Sequence, residues 1–154
     1  MGITAVCAVG FWMLASGGSG LGILSSMNVQ FLVTDPDGRR TGFDRRSALE
    51  YSEIPSSRYD VRFTGNPDGA SGDSSRRFVA AFGEGGSLKE GPYTLRVTGT
   101  RGGSFWVSIS VYREPVSDDL TIRGVIRAGE VRMYRLKFVP DPSVPLRLDT
   151  LATR

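Results

Sequence analysis

The sequence predicts an all-β protein, an antiparallel β-sandwich of jelly-roll or Ig-like type with about seven to eight strands. Three observations carry this. Apolar residues recur with period two in segment after segment; glycine- and proline-containing turns separate those segments; and no stretch shows a sustained helical period. Repeated alternation means that each strand buries one face and wets the other. Two such sheets can cover each other's apolar faces.

The segments run in order as follows. Val29, Phe31 and Val33 alternate with Gln30, Leu32 and Thr34, and Asp35-Pro36-Asp37-Gly38 supplies a turn in which proline fixes φ and glycine tolerates positive φ. Tyr59, Val61 and Phe63 form the next inward set, then Phe78, Ala80 and Phe82. Tyr93, Leu95 and Val97 alternate with Thr94, Arg96 and Thr98, and Phe105, Val107, Ile109 and Val111 alternate with Trp106, Ser108, Ser110 and Tyr112. Thr100 to Ser104, with its glycine pair, is expected to close a hairpin between these two strands. Leu120, Ile122 and Ile126 define a further strand, and Arg127 to Glu130 a second hairpin turn. Tyr134, Leu136 and Phe138 form the last strong strand. Val131 and Met133 are out of phase with it, which a β-bulge would reconcile. Ser47 to Glu50 has capping-box spacing, but Pro55 follows soon, so one helical turn is the most it allows. The expected core is Phe31, Val33, Val61, Phe63, Phe78, Leu95, Val97, Val107, Ile109, Ile122, Leu136 and Phe138.

The sandwich is expected over residues 21–139. No charge occurs before Asp35, and Ile3 to Ala15 is apolar and followed by small residues. That run is short for a membrane span of about 20 residues and fits the apolar region of a secretory signal. Residues 1–20 therefore read as a signal peptide or apolar anchor, with a core strand as the alternative. The start carries no Lys or Arg, and Met27 is an alternative initiator. Residues 140–154, opening on Pro140-Asp141-Pro142, read as a proline-containing tail or linker. This organisation implies a secreted or cell-surface protein, with membrane contact only through an uncleaved N-terminus.

Composition excludes more than motifs suggest. With no histidine and one cysteine, Cys7, the chain can build no Ser-His-Asp or Cys-His site, no His-ligated zinc and no internal disulfide. No phosphate-binding glycine motif occurs. The net charge of +3 comes from scattered arginines, with pairs at Arg39-Arg40, Arg45-Arg46 and Arg76-Arg77. Without a clustered basic stripe these read as a solvated surface, with an anion-binding patch as the alternative, and nucleic acid is not an expected partner.

Two binding surfaces are nominated. Asp35 and Asp37 flank one turn, and Asn66, Asp68 and Asp73 share a glycine-rich loop; calcium takes such oxygens, six to eight at a time. The same residue types are also what turns need without any ligand. Trp106 and Tyr112 fall on the outward face of one strand, about 20 Å apart at about 3.3 Å per residue, where flat aromatics can stack on sugar rings. Apart from calcium no cofactor is expected. A third reading needs no site: a spacer or assembly domain that associates through its sheet edges or its apolar N-terminus.

Two segments carry a resemblance. Leu32 to Phe43, with Glu53-Ile54-Pro55, resembles a module recurring in large exported bacterial proteins. Gly91-Pro92-Tyr93-Thr94-Leu95-Arg96-Val97-Thr98-Gly99 is similar to the G-x-Y-x-L-x-V strand of bacterial pre-peptidase C-terminal (PPC-like) domains, shared with Ig-like and jelly-roll accessory modules. The resemblance spans roughly residues 23–113. It implies a non-catalytic extracellular accessory β-sandwich that works with other domains or surface proteins, and it transfers no catalytic residue.

Overall fold

The computed structural model describes residues 18–61, 75–81 and 88–152, with 61 and 75–81 as backbone. It contains strands and no helix among the described residues. Among the described residues eleven strands follow one another: β1 (Ser19–Ser26), β2 (Val29–Thr34), β3 (Arg40–Asp44), β4 (Leu49–Ser52), β5 (Arg58–Val61), β6 (Ser75–Ala81), β7 (Gly91–Gly99), β8 (Gly103–Arg113), β9 (Val116–Ile126), β10 (Val131–Phe138) and β11 (Arg147–Leu151). They form a five-stranded sheet, β5-β6-β1-β8-β9, and a six-stranded sheet, β11-β10-β7-β2-β3-β4. Every neighbouring pair is antiparallel. The architecture is the expected β-sandwich.

The alternating residues build the core between the sheets. On β8, Phe105, Val107, Ile109 and Val111 are all buried while Trp106, Ser108, Ser110 and Tyr112 are partly exposed. Phe31 and Val33 of β2, Leu95 and Val97 of β7, and Leu136 and Phe138 of β10 face them from the other sheet. Burying each such side chain contributes about 1.5–3 kcal/mol. Phe31 meets Tyr59 edge to face at 5.5 Å, and Tyr93 meets Phe138 at 6.4 Å. Ile122 is partly buried against the cluster. Val61, Phe63 and Phe78 have side chains outside the described residues.

Both expected hairpins are corners. β7 and β8 lie in different sheets, and so do β9 and β10, so Thr100 to Gly102 and Arg127 to Glu130 each carry the chain across the sandwich. Alternation could not reveal this, because a strand entering either sheet presents the same inward period to the shared core. A third crossing, Met27-Asn28 between β1 and β2, lies beside them. The three are bonded together: Thr100 N–H donates to the Asn28 carbonyl at 2.8 Å, Gly99 N–H to that of Glu130 at 2.9 Å, and Gly129 N–H to that of Gly99 at 2.9 Å. The true hairpins include β2–β3, β3–β4 and β8–β9.

The expected bulge before Tyr134 is also absent. β10 pairs with β7 in unbroken register from Val131↔Thr98 to Phe138↔Gly91, which puts Arg132 in phase with Tyr134. An inward position is filled by a long amphipathic side chain whose guanidinium reaches over the Phe105 ring, 5.4 Å from its centre, and pairs with Glu130 at 2.9 Å. The register shift lies instead between Leu21 and Ile23, where β1 meets β6. Ser47 to Glu50 makes no helical turn: Arg45 to Ala48 is the β3–β4 turn, with Ala48 at φ 56°.

The count exceeds the expected seven to eight because β1, β3, β4 and β11 are short, glycine-rich or half-exposed and lack a clean apolar alternation. β1 starts at Ser19, two residues ahead of the expected domain start and inside the end of the 1–20 leader or anchor segment, of which residues 1–17 lie outside the described residues. β11 falls in the segment read as a tail and pairs with β10 from Met133↔Leu151 to Lys137↔Arg147. Its connection is held by Arg113, whose Nη1 donates to the carbonyls of Asp141 and Val144 at 2.8 Å and of Val139 at 3.2 Å. A guanidinium therefore ends the inward apolar row of β8.

Candidate functional site

The β2–β3 turn is a self-contained ionic knot. Asp35 is buried, and its Oδ1 accepts the backbone N–H groups of Asp37 and Arg39, each at 2.9 Å. Its Oδ2 accepts from Arg39 Nε at 2.8 Å. Asp37 pairs with Lys89 and, at 3.2 Å, with Arg39 Nη2. The Lys89 bond, with the nearby Arg39 charge, holds the Asp37 carboxyl below its ordinary pKa. Beside it, burial foremost pushes the Tyr93 phenol up to about 12; its hydroxyl donates to the Lys89 carbonyl at 3.0 Å. The two turn aspartates of the calcium reading, Asp35 and Asp37, are thus engaged by this chain's own donors and cations. Asn66, Asp68 and Asp73 lie outside the described residues. Among the described residues no group of three or more His, Cys, Asp or Glu is arranged to hold a metal ion.

The segments that carried the resemblance also meet. Arg40 Nη2 pairs with Glu53 Oε1 at 3.0 Å and stacks over Tyr51 at 3.8 Å, while Ile54 is buried. The role of these residues here is to join β3 to the crossing that leads into β5.

Trp106 and Tyr112 do stand on the outer face of the five-stranded sheet, both partly exposed. Between them on β8 lie Ser108 and Ser110; across from Ser110 and Tyr112 on β1 lie Gly22 and Gly20. Ser108, Ser110 and Gly22 thus lie between the two aromatics, with the partly exposed Leu24 of β1 opposite Ser108 and Gly20 buried. Opposite Trp106 on β9 is Arg123, and opposite Tyr112 is Ser117.

On the outer face of the other sheet, the pair Arg45-Arg46 meets a third arginine, Arg96, that the sequence places far from it. Arg45 and Arg46 from the β3–β4 turn and Arg96 from β7 line an open cleft of about 290 Å³ with Asp44, Thr98, Gly129 and Val131. Arg45 Nη1 donates to the Gly99 carbonyl at 2.8 Å. Arg96 Nη1 pairs with Asp44 Oδ1 at 3.3 Å, and the same oxygen accepts the Arg46 N–H at 3.0 Å. No spacing signals this cleft, since some fifty positions separate its two sides; it exists because β3 and β7 both flank β2. Compared with known protein families, curated proteins and solved structures, the chain matches none.

Proposed function

We propose that this chain is a non-catalytic accessory β-sandwich of a secreted or surface protein, working by association with neighbouring domains or further copies of itself. One observation carries the reading. β9 is eleven residues long and terminal in its sheet, and its outer edge pairs with no described strand. Exposed edges of this length are templates for strand addition. The β9 sequence is also complementary to itself: in an antiparallel pair centred on Thr121, Asp119 stands opposite Arg123 of the second copy. Leu120 stands opposite Ile122 on the inner side, where both are only partly buried. The absence of histidine and the single cysteine fit a role without chemistry.

Light scattering over a concentration series tests this. The wild type should dimerise, and Arg123→Asp, which sets two like-charge contacts across the symmetric edge, should weaken the dimer about tenfold. The double variant Asp119→Arg/Arg123→Asp should restore it. A wild type that stays monomeric at high concentration sinks the self-association reading.

A second reading is glycan binding on the outer face of the same sheet, on β8 next to the β9 edge. The stretch from Trp106 to Tyr112, with Gly22, Ser108 and Ser110 between them, favours a flat extended ligand. Trp106→Ala should abolish glycan-array signals given by the wild type, since stacking against an indole is lost outright. Equal signals from both proteins would remove Trp106 from the site.

A further inference from the structure

We propose that the cleft between the β3–β4 turn and β7 binds the oxyanion group of a small ligand: a carboxylate, sulfate or phosphate. Three guanidinium groups line it against one carboxylate, that of Asp44. Two formal positive charges are therefore left over within a cleft of about 290 Å³, a size that takes one ligand group. Guanidinium presents a planar fork of donors, which matches oxyanions in bidentate fashion.

The donors are held apart and in place by the fold. Arg45 is anchored to the Gly99 carbonyl through one nitrogen, leaving the rest of its fork. Arg96 is tied to Asp44 through Nη1. The Arg46 guanidinium makes no ion pair among the described residues. The Thr98 hydroxyl, nearly buried on the cleft floor, makes no side-chain hydrogen bond among them either and adds a neutral donor. Gly129 closes one wall through its bond to Gly99, so the cleft sits on the corners that backbone hydrogen bonds interlock. Asp44 has two opposed roles there. It orients Arg96 and Arg46, and it cancels one charge.

The test is titration of the folded protein with sodium sulfate, sodium phosphate and glucuronate, followed by backbone amide shifts at constant ionic strength, with glucose as the neutral control. Saturable shifts confined to residues 44–46, 96–99 and 129–131 are expected for at least one anion and none for glucose; which anion saturates first separates the sources of the group. Arg46→Met, which removes charge and no ion pair, should weaken that binding about tenfold, and Arg96→Met likewise. Asp44→Asn keeps a side-chain carbonyl acceptor, removes the opposing charge and should tighten binding several-fold. A site that merely holds the turn would not respond with opposite signs. Failure of all three anions to saturate, or equal binding by wild type and Arg46→Met, overturns the proposal. Neither result bears on the β9 edge or the Trp106 strip.

Discussion

Arg113→Met should lower the unfolding free energy by about 3 kcal/mol, the range found when one partner of a buried charged network is removed. The Arg113 side chain is 2% exposed. Its Nη1 is shared by three carbonyls of the β10–β11 connection and its Nη2 pairs with Asp118, while Nε has no partner. Desolvating a guanidinium costs several kcal/mol, which only this set of acceptors offsets. Methionine fills the volume but leaves the carbonyls and Asp118 without their donor. Urea unfolding measures the loss, which at this chain length corresponds to about 6–12 °C in Tm. Because β11 is an edge strand tied on by the same loop, its amides should exchange well before those of β7 and β8. A loss below about 1 kcal/mol, with β11 still protected, would show that the connection holds without the arginine.

Gly42→Ala should cost a similar amount, about 3 kcal/mol, for a backbone reason. Gly42 has φ of +124°, a region L side chains rarely adopt. A Cβ there would overlap the Phe31 carbonyl oxygen and approach Leu32 Cα to 3.0 Å. Positive-φ strain of about 1–3 kcal/mol adds to an overpacking cost of about 1–3 kcal/mol, since the obstructing atoms are backbone of β2 and cannot rotate aside. Gly38 is the internal comparison. It also has positive φ, +82°, but nothing lies within 4 Å of its Cβ position, so Gly38→Ala should cost only about 1 kcal/mol. Denaturant curves for the pair separate conformational strain from collision. Equal losses would mean that β3 shifts to make room.

How much of this could be read beforehand depended on whether the physics was local. Period two is local, so Phe31, Val33, Leu95, Val97, Val107, Ile109, Leu136 and Phe138 were legible as core and are buried. Trp106 and Tyr112 were legible as outward for the same reason. Local turn chemistry marked Asp35 to Gly38, but the reading stopped at residue types: that the Asp35 carboxylate is used up by Arg39 and two backbone N–H groups depends on a bend returning four residues later. Arg113 illustrates the opposite case. The alternation of β8 runs straight through it and assigns it an inward position, yet a charged residue at a strand end carries no signal that a distant loop supplies its acceptors.

The sequence by itself determined the all-β class, the inward and outward faces of its long strands, and the chemistries excluded by having no histidine and one cysteine. The tertiary structure decided which turns are hairpins and which are corners, that the segment after Pro140 supplies a paired strand, and that Arg45, Arg46 and Arg96 share a cleft. The division has one physical cause. Alternation follows from the backbone geometry of a single strand, whereas sheet membership and the meeting of charged side chains arise only from which strands pair, and an inward face reads alike in either layer of a sandwich.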